Sequence, residues 1–335
     1  MRMSIRVFAV LVTAFWCVQP VLGQTEPEGI PVQNMTFAET AAICGGSEAA
    51  APEAPAGTSR SNCCCNCDPL WIVDADAVFL QRSAPRSQQV TLSGGNNDQL
   101  KCPVAAGFDI DLVRQHVAGT DWGLEGAYLG VDSFHSQETV EFPYHGYFSG
   151  DYQSALRSVE LNARRDWNDW LTILAGVRFI NLAENVAESS LVVAPPPELW
   201  VMAGRNDNST NNQMVGFQLG ADTRVLQRDR FNINFISKAG IYGNRATNAN
   251  WTVNPGAPGG FSYYSALANP AAFEGELKLA ATYSITDALS FSVGYQLMWL
   301  SGVALATDQP LGTARVDSSG TVFYNGAFVG LEYCR

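Results

Sequence analysis

The stretch FEGELKLAATYSITDALSFSVGYQLMWL, residues 273–300, decides the fold because its hydropathy alternates with a period of two. Apolar residues recur at alternate positions from Phe273 to Tyr283 and again from Leu289 to Trp299, with polar or small residues between most of them. Five residues, 284–288, separate the two halves. The pattern predicts two strands joined by a tight hairpin.

These two strands are long. Strands of globular proteins usually run about 5–6 residues, whereas a tilted strand needs about 9–11 residues to cross a bilayer. We therefore expect a membrane-spanning β-barrel, with apolar side chains towards lipid and Glu274, Glu276 and Lys278 in a wet lumen. The alternative is a soluble β-sandwich or lipocalin-like barrel, in which the apolar face points inward.

The composition agrees with strands rather than helices. The chain is 47% hydrophobic, yet after the first twenty residues no apolar run approaches the roughly 20 residues of a transmembrane helix. Thirty glycines and only 16% charged residues favour strands and turns. A net charge of −12 argues against a nucleic-acid partner, whose phosphates require clustered Lys and Arg.

The N-terminal region predicts export. Two arginines precede an apolar core at residues 7–18, and small residues precede Gln24, which is typical of a Sec signal peptide over residues 1–23. Residues 24–69 are rich in Pro, Ala and Glu and predict a disordered periplasmic linker. The barrel itself is expected over residues 70–335, in the outer membrane of a Gram-negative-type cell.

Seven cysteines remain after cleavage of the signal peptide. An exported chain meets an oxidising compartment, so disulfides are expected, although the pairing stays open and an odd count leaves one thiol over. A metal cluster is the alternative, but no second Cys-x-x-Cys and no neighbouring His completes a tetrahedral site; we expect neither metal nor cofactor. The disulfide candidates are Cys44, Cys63, Cys64, Cys65, Cys67, Cys102 and Cys334.

Alternation continues along the chain and predicts ten strands. Segments 89–92 and 138–142 would add further strands, so an even total of about 10–14 antiparallel strands is expected. Segment 154–164 is ambiguous because Arg157 shares a face with Val159 and Leu161, which a bulge or an interfacial arginine would resolve. The ten are residues 71–79, 108–112, 122–131, 154–164, 171–179, 215–222, 231–242, 273–283, 289–299 and 322–333.

Long and short connections alternate. Polar stretches at residues 192–211, 244–270 and 307–319 are expected to be extracellular loops, while residues 227–229 and 284–288 are expected to be periplasmic turns. This asymmetry is typical of outer-membrane barrels.

The polar face of the strands predicts the lining of the lumen. Paired acids such as Asp74 with Asp76 and Asp109 with Asp111 are also compatible with general acid/base work or Ca²⁺ binding, but their spacing is the strand period. The predicted lining residues are Asp74, Asp76, Asp109, Asp111, Glu125, Arg178, Gln218, Asp222, Lys238, Glu274, Glu276, Lys278 and Glu332.

No catalytic motif is present. The sequence lacks a Gly-x-Ser-x-Gly elbow, a phosphate-binding loop, a dinucleotide fingerprint and a His-Glu-x-x-His motif. The histidines, His116, His135 and His145, lie in or beside expected loops. A hydrolase or metal site built on them is the alternative; the prediction is that the protein is not an enzyme.

Several short blocks resemble the beta-barrel porin-7 family of planctomycete-type exported proteins. The resemblance implies an outer-membrane barrel more firmly than it implies transport. The blocks are WIVDADAVFLQR (71–82), SVELNARRDW (158–167), LTILAGVRFINLAEN (171–185), VGFQLGAD (215–222), SKAGIYGN (237–244) and NGAFVGLEY (325–333).

The expected function is passive diffusion of small hydrophilic solutes through a water-filled barrel, with outer-membrane lipid as the other partner. An acidic lining predicts a preference for cations. The alternatives are a non-conducting anchoring barrel that binds partners through its long loops and, third, a membrane-embedded hydrolase. The sequence does not indicate an oligomeric state.

Overall fold

A computed structural model describes residues 69–84, 89–90, 95–96, 104–142, 146–194, 199–255, 260–310 and 312–335. The predicted signal peptide and nearly all of the predicted linker lie outside these ranges. The described elements are β1 (Trp71–Arg82), β2 (Gln89–Val90), β3 (Gly95–Asn96), β4 (Ala105–Arg114), β5 (Trp122–Phe142), β6 (Gly146–Asn168), β7 (Leu171–Ala194), β8 (Leu199–Arg228), β9 (Phe231–Val253), β10 (Phe261–Ala268), β11 (Ala271–Ser284), β12 (Leu289–Val303) and β13 (Gly320–Cys334), with short 3₁₀ turns at Val117–Gly119 and Ala306–Asp308.

Ten of these strands close into an antiparallel barrel, which confirms the predicted fold class. Going round the wall the order is β1, β4, β5, β6, β7, β8, β9, β11, β12, β13 and back to β1. β10 pairs with the last eight residues of β9, and β11 pairs with the first thirteen. β10 and β11 therefore lie one after the other along the same edge of β9. β2 pairs only with β3.

The two ends of the barrel differ. At one end, here called the terminal end, the backbone N–H groups of Leu70 and Trp71 both donate to the carbonyl of Arg335 at 2.8 Å, so the first and last strands meet. Short turns follow β4, β6, β8 and β11 at this end. The opposite end is called the far end.

The outer wall carries an apolar band with aromatic borders. Phe291 and Val293 are exposed on this wall, where a soluble barrel would have buried them. Such a band between two aromatic girdles is the pattern of a lipid-facing barrel surface. Exposed aromatic side chains at the terminal border are Trp71, Trp122, Trp167, Trp170, Tyr283 and Tyr333, and those at the far border include Phe79, Phe108, Phe179, Phe273 and Phe323.

No helix in the described ranges is both long enough and apolar enough to cross a membrane.

Both features that were expected to resolve the ambiguity at Arg157, a bulge and an interfacial arginine, are present in the structure. The pairing of β5 with β6 shifts register between Val131 and Phe134, which marks a bulge. Arg157 itself points outward beyond Val159 and pairs with Asp132, its Nε lying 2.8 Å from Oδ1. The residue therefore sits on the outer wall, at the far side of the apolar band.

Two predicted loops are wrong, because the strands continue through them. Most of residues 192–211 belong to the ends of β7 and β8, and residues 244–270 contain the end of β9 and all of β10. In this far-end extension, made of the ends of β5 to β9 together with β10, the outward face of β10 carries Phe261, Tyr263 and Leu267. On β8, by contrast, both faces are polar: Asn208 points inward and Ser209 outward. Hydropathy alternation is therefore lost, although the pairing is not.

The third predicted loop, residues 307–319, does connect strands, but its first part folds into the barrel instead of outward. Val303, Ala304, Leu305, Ala306, Thr307 and Gln309 are buried. This section, residues 303–309, is called the plug segment below.

Candidate functional site

The interior of the barrel holds all thirteen residues predicted to line the lumen. They lie on the inner face of the wall, where most of them are buried and in contact with one another instead of lining a wide passage. Seven are buried, namely Asp76, Glu125, Arg178, Gln218, Glu274, Glu276 and Lys278; the other six, Asp74, Asp109, Asp111, Asp222, Lys238 and Glu332, line one cavity.

Arg178 is the centre of this polar layer. Its Nη1 lies 3.0 Å from Glu274 Oε1 and 2.9 Å from Glu276 Oε2, and its Nε lies 3.2 Å from Glu160 Oε1. Arg178 belongs to β7 and the two glutamates at Nη1 to β11, with β8 and β9 between them in the wall. The side chain therefore crosses the lumen, and only 1% of it is exposed.

Two lysines make further bridges across the interior. Lys278 Nζ lies 2.9 Å from Asp76 Oδ2 and 3.2 Å from Asp109 Oδ2, which ties β11 to β1 and β4. Lys238 Nζ lies 2.9 Å from Glu160 Oε2, which ties β9 to β6. Each cation thus has at least one close carboxylate, as buried charges require.

Carboxylates outnumber cations in this layer. The cations are Arg164, Arg178, Lys238 and Lys278, and the carboxylates are Asp74, Asp76, Asp109, Asp111, Glu125, Glu160, Asp222, Glu274, Glu276 and Glu332. A cavity of about 170 Å³ lies among them, on the side of the terminal end. Its acidic lining would favour cations over anions.

An apolar layer fills the barrel on the far side of the charges. On β1 the inner face changes from Asp74 and Asp76 to Val78 and Leu80, and other strands change likewise. The expectation that apolar side chains only point outward was wrong for this half of the barrel. The layer is one buried cluster that includes Val78, Leu80, Leu129, Val131, Phe134, Leu156, Ile180, Leu182, Met214, Met298, Leu300, Val322 and Tyr324.

The plug segment closes the barrel above this layer. Val303 and Leu305 join the apolar cluster. The backbone between them is held by Asn212 of β8, whose Nδ2 donates to the Ala304 carbonyl at 2.8 Å and whose Oδ1 accepts from the Ala304 N–H at 2.7 Å. Asn208 Nδ2 donates to the Ala306 carbonyl at 2.6 Å.

Glu184 of β7 joins the plug segment to the opposite part of the wall. Its Oε2 accepts from the Ala306 N–H and its Oε1 from the Tyr152 hydroxyl, both at 2.9 Å. Arg82 of β1 forms a buried ion pair with the same Oε1. A buried ion pair depends on additional hydrogen bonds of this kind to offset its desolvation.

Several inner residues were missed by the sequence reasoning. Glu160 and Arg164 alternate with Val159 and Leu161, so the period of two would have placed them inside once the ambiguity at Arg157 was set aside. Asn208 and Asn212 gave no such signal, because they lie in a stretch that is polar throughout.

The histidines and cysteines do not form a second site among the described residues. His135 lies within β5, not in a loop, and its Nε2 is 3.1 Å from Asp151 Oδ2 on the exposed outer wall. His116 is in the turn after β4, and His145 is outside the described residues. Cys334 is disulfide-bonded; the six other disulfide candidates are outside the described residues. Within the described ranges no group of three or more His, Cys, Asp or Glu side chains is arranged to hold a metal ion.

Wall and interior together define the class: a ten-stranded antiparallel β-barrel of the outer-membrane type, with a filled interior. No protein-family model matches the chain, and no curated protein matches it. The resemblance to the beta-barrel porin-7 family therefore stays a prediction.

Solved structures with a similar fold include the outer membrane protease OmpT from Escherichia coli, at 12% identity and a TM-score of 0.45, covering 79% of this chain and 96% of that chain. The toluene transporter TbuX from Ralstonia pickettii is 12% identical, with a TM-score of 0.33 and coverage of 79% and 88%. The toluene transporter TodX from P. putida is 8% identical, with a TM-score of 0.33 and coverage of 79% and 89%.

Proposed function

We propose that this protein is a non-conducting outer-membrane barrel that holds its far-end extension outside the cell as a surface for binding partners. The observation that carries the proposal is the filled interior. Charged side chains bridge the lumen around Arg178, a buried apolar cluster lies above them, and the plug segment lies above that cluster. A passage for hydrated solutes would need all three layers to move.

The far-end extension supplies the proposed surface. The last residues of β5 to β9, together with β10, continue beyond the apolar band, and the fourteen residues 199–212 of β8 span about 45 Å at the usual rise per residue. Polar side chains such as Ser209 and Asn211 face outward there. This polar outer face of β8 fits water instead of lipid, while β10 exposes Phe261, Tyr263 and Leu267 at the same end.

Surface display is tested with epitope insertions at the two ends. An epitope after Pro255, at the tip of β9, should bind antibody on intact cells. A matched epitope between Asp229 and Arg230, in the turn after β8, should bind antibody only after the outer membrane is permeabilised. The reverse labelling would contradict the proposed orientation, and labelling of neither site in intact or opened cells would contradict display.

Conduction is tested in planar bilayers with protein whose insertion has been verified separately. We expect no channel steps from the wild type over a range of voltages. A variant in which residues 304–318 are replaced by two glycines should also stay silent, because the charged and apolar layers remain. Reproducible steps from the wild type would contradict the proposal.

A second candidate function is the porin-like channel for small hydrophilic solutes. The acid-lined cavity of about 170 Å³ favours it, because such a lining suits a cation pathway. If this candidate is correct, the reversal potential in a salt gradient has the sign of a cation-selective channel. Glu332→Gln should reduce the size of that potential.

We also expect no enzymatic activity. His135 and Asp151 contact each other on the outer wall, away from the enclosed interior. Esterase assays of the wild type, with His116→Ala and His145→Ala as controls, would reveal a hydrolase.

A further inference from the structure

Two arginines stack on tryptophans at the terminal border of the apolar band. Arg114 Cζ lies 4.8 Å from the ring centroid of Trp71, and Arg165 Cζ lies 5.4 Å from that of Trp122. Both rings are nearly half exposed, at 42% and 47%. The stacks therefore lie on the outer wall.

Strand pairing places these four side chains in two cross-strand pairs on four consecutive strands of the wall, with Arg114 diagonal to Trp122. Trp71 on β1 lies opposite Arg114 on β4, and Trp122 on β5 lies opposite Arg165 on β6. β4 and β5 are neighbours, with Arg114 opposite Leu124. The row Trp71, Arg114, Trp122 and Arg165 is called the rim row.

The rim row lies where a membrane changes from hydrocarbon to headgroups. Leu112 and Leu124, the next outward residues towards the far end, are both exposed members of the apolar band. Tryptophans at such a border sit at headgroup level. The guanidinium groups beside them are therefore at the height of lipid phosphates.

The arginines of the rim row have no ion-pair partner among the described residues. No described carboxylate lies within ion-pair distance of Arg114 or Arg165, whereas Arg157, Arg164 and Arg178 each have at least one. The tryptophan ring covers one face of each guanidinium and leaves its N–H edge free to make a planar, bidentate contact with phosphate oxygens. In a chain of net charge −12, two such arginines on the same rim, with β5 between them, attract anions.

We propose that the rim row binds the phosphate of an anionic phospholipid in the leaflet that faces the terminal end. This inference rests on the membrane placement in the proposed function. It adds a ligand class and the residues that hold it: the arginines bind the phosphate, and the tryptophans fix the arginines and contact the acyl-chain end of the headgroup region.

The test is native mass spectrometry of the whole protein released from bilayers of phosphatidylcholine with a minority of phosphatidylglycerol. The wild type should retain phosphatidylglycerol in preference to phosphatidylcholine. Arg114→Gln with Arg165→Gln should weaken retention by about fivefold for each arginine. Arg157→Gln, at the opposite border and paired with Asp132, is the matched control and should retain lipid as the wild type does.

Folding controls and a competition with inorganic phosphate distinguish the possible outcomes. Heat-dependent mobility on gels verifies folding of each variant, and Arg165→Gln alone replaces the double variant if that one does not fold. Equal retention of the two lipids by the wild type, or unchanged retention in the Gln variants, would overturn the proposal. Displacement of the lipid by inorganic phosphate at equal concentration would show a simple anion site and also overturn it. Protein that inserts but shows no preference refutes only the rim row, whereas protein that does not insert refutes the proposed function.

Discussion

Asn212 binds both backbone polar groups of a single residue on the plug segment, donating to the Ala304 carbonyl and accepting from the Ala304 N–H. The side chain thus does for this residue what a neighbouring strand would do. Because Ala304 is fully buried, water cannot replace either bond. From Ala304 onward the plug segment is therefore attached to the wall through side-chain hydrogen bonds and not through strand pairing.

Asn212→Ala is expected to loosen the plug segment without opening the barrel. The Ala304 N–H and carbonyl would be left buried and unpaired, at a cost of about 1–3 kcal/mol. Exchange of the Ala304 and Ala306 amide hydrogens should accelerate about tenfold or more. Asn185→Ala, on the exposed outer face of β7, should leave exchange unchanged, and protection equal to the wild type in Asn212→Ala would contradict the anchoring role.

Arg178→Met is expected to destabilise the barrel strongly. It leaves Glu160, Glu274 and Glu276 close together without their shared cation, and breaking a buried ion pair from one side costs about 3–5 kcal/mol. Denaturant unfolding in detergent or lipid measures the loss. Adding Glu274→Gln and Glu276→Gln should recover part of it.

The control for Arg178 is the exposed pair at the far border. Arg157→Met removes an arginine–aspartate pair that water already solvates, so unfolding should change little. Equal losses in Arg157→Met and Arg178→Met would contradict the view that burial makes the central cluster important.

Gly330→Ala is expected to disturb the contact between Asp76 and Lys278. A Cβ at residue 330 would lie 2.0 Å from Asp76 Oδ1 and 2.4 Å from the Ala75 carbonyl, so the carboxylate must move away from Lys278 and from Ser292. Overpacking of this kind costs about 1–3 kcal/mol. Gly126→Ala, where no atom lies within 4 Å, should be neutral in the same unfolding assay.

Sequence alone predicted the wall better than the interior. Period-two alternation located the ten barrel strands, and it placed charged residues such as Lys278 on the polar face, because a strand fixes alternate directions without reference to the rest of the chain. It did not predict that Arg178 meets Glu274, since that contact depends on how strands far apart in the wall face each other across the lumen.

Two features of the structure give no clear signal in the sequence, each for a different reason. Val78 follows Asp76 on the inner face of β1 but lies between Ala77 and Phe79, so hydropathy gives no contrast there and the inner apolar layer was not apparent. The far-end strands and the plug segment have the polar composition of loops, because their polar residues make contacts inside the barrel mouth, as Asn208 and Asn212 do. Polar composition predicts a loop only where water is the solvent on both faces.

Leu219→Arg tests the membrane placement itself. Leu219 is 69% exposed on the outer wall, between Phe217 and Ala221 within the apolar band of β8. An arginine at the bilayer midplane destabilises a barrel by about 2–4 kcal/mol, whereas an exposed arginine on a soluble protein is nearly neutral. Gln213→Arg, six residues nearer the far end on the same outer face, should cost at most about 1 kcal/mol because it lies at the interface. Reversible unfolding in lipid vesicles measures both, and the difference between them is the informative quantity, since each variant adds one arginine to the same strand. Equal effects would mean that the outer wall does not meet hydrocarbon.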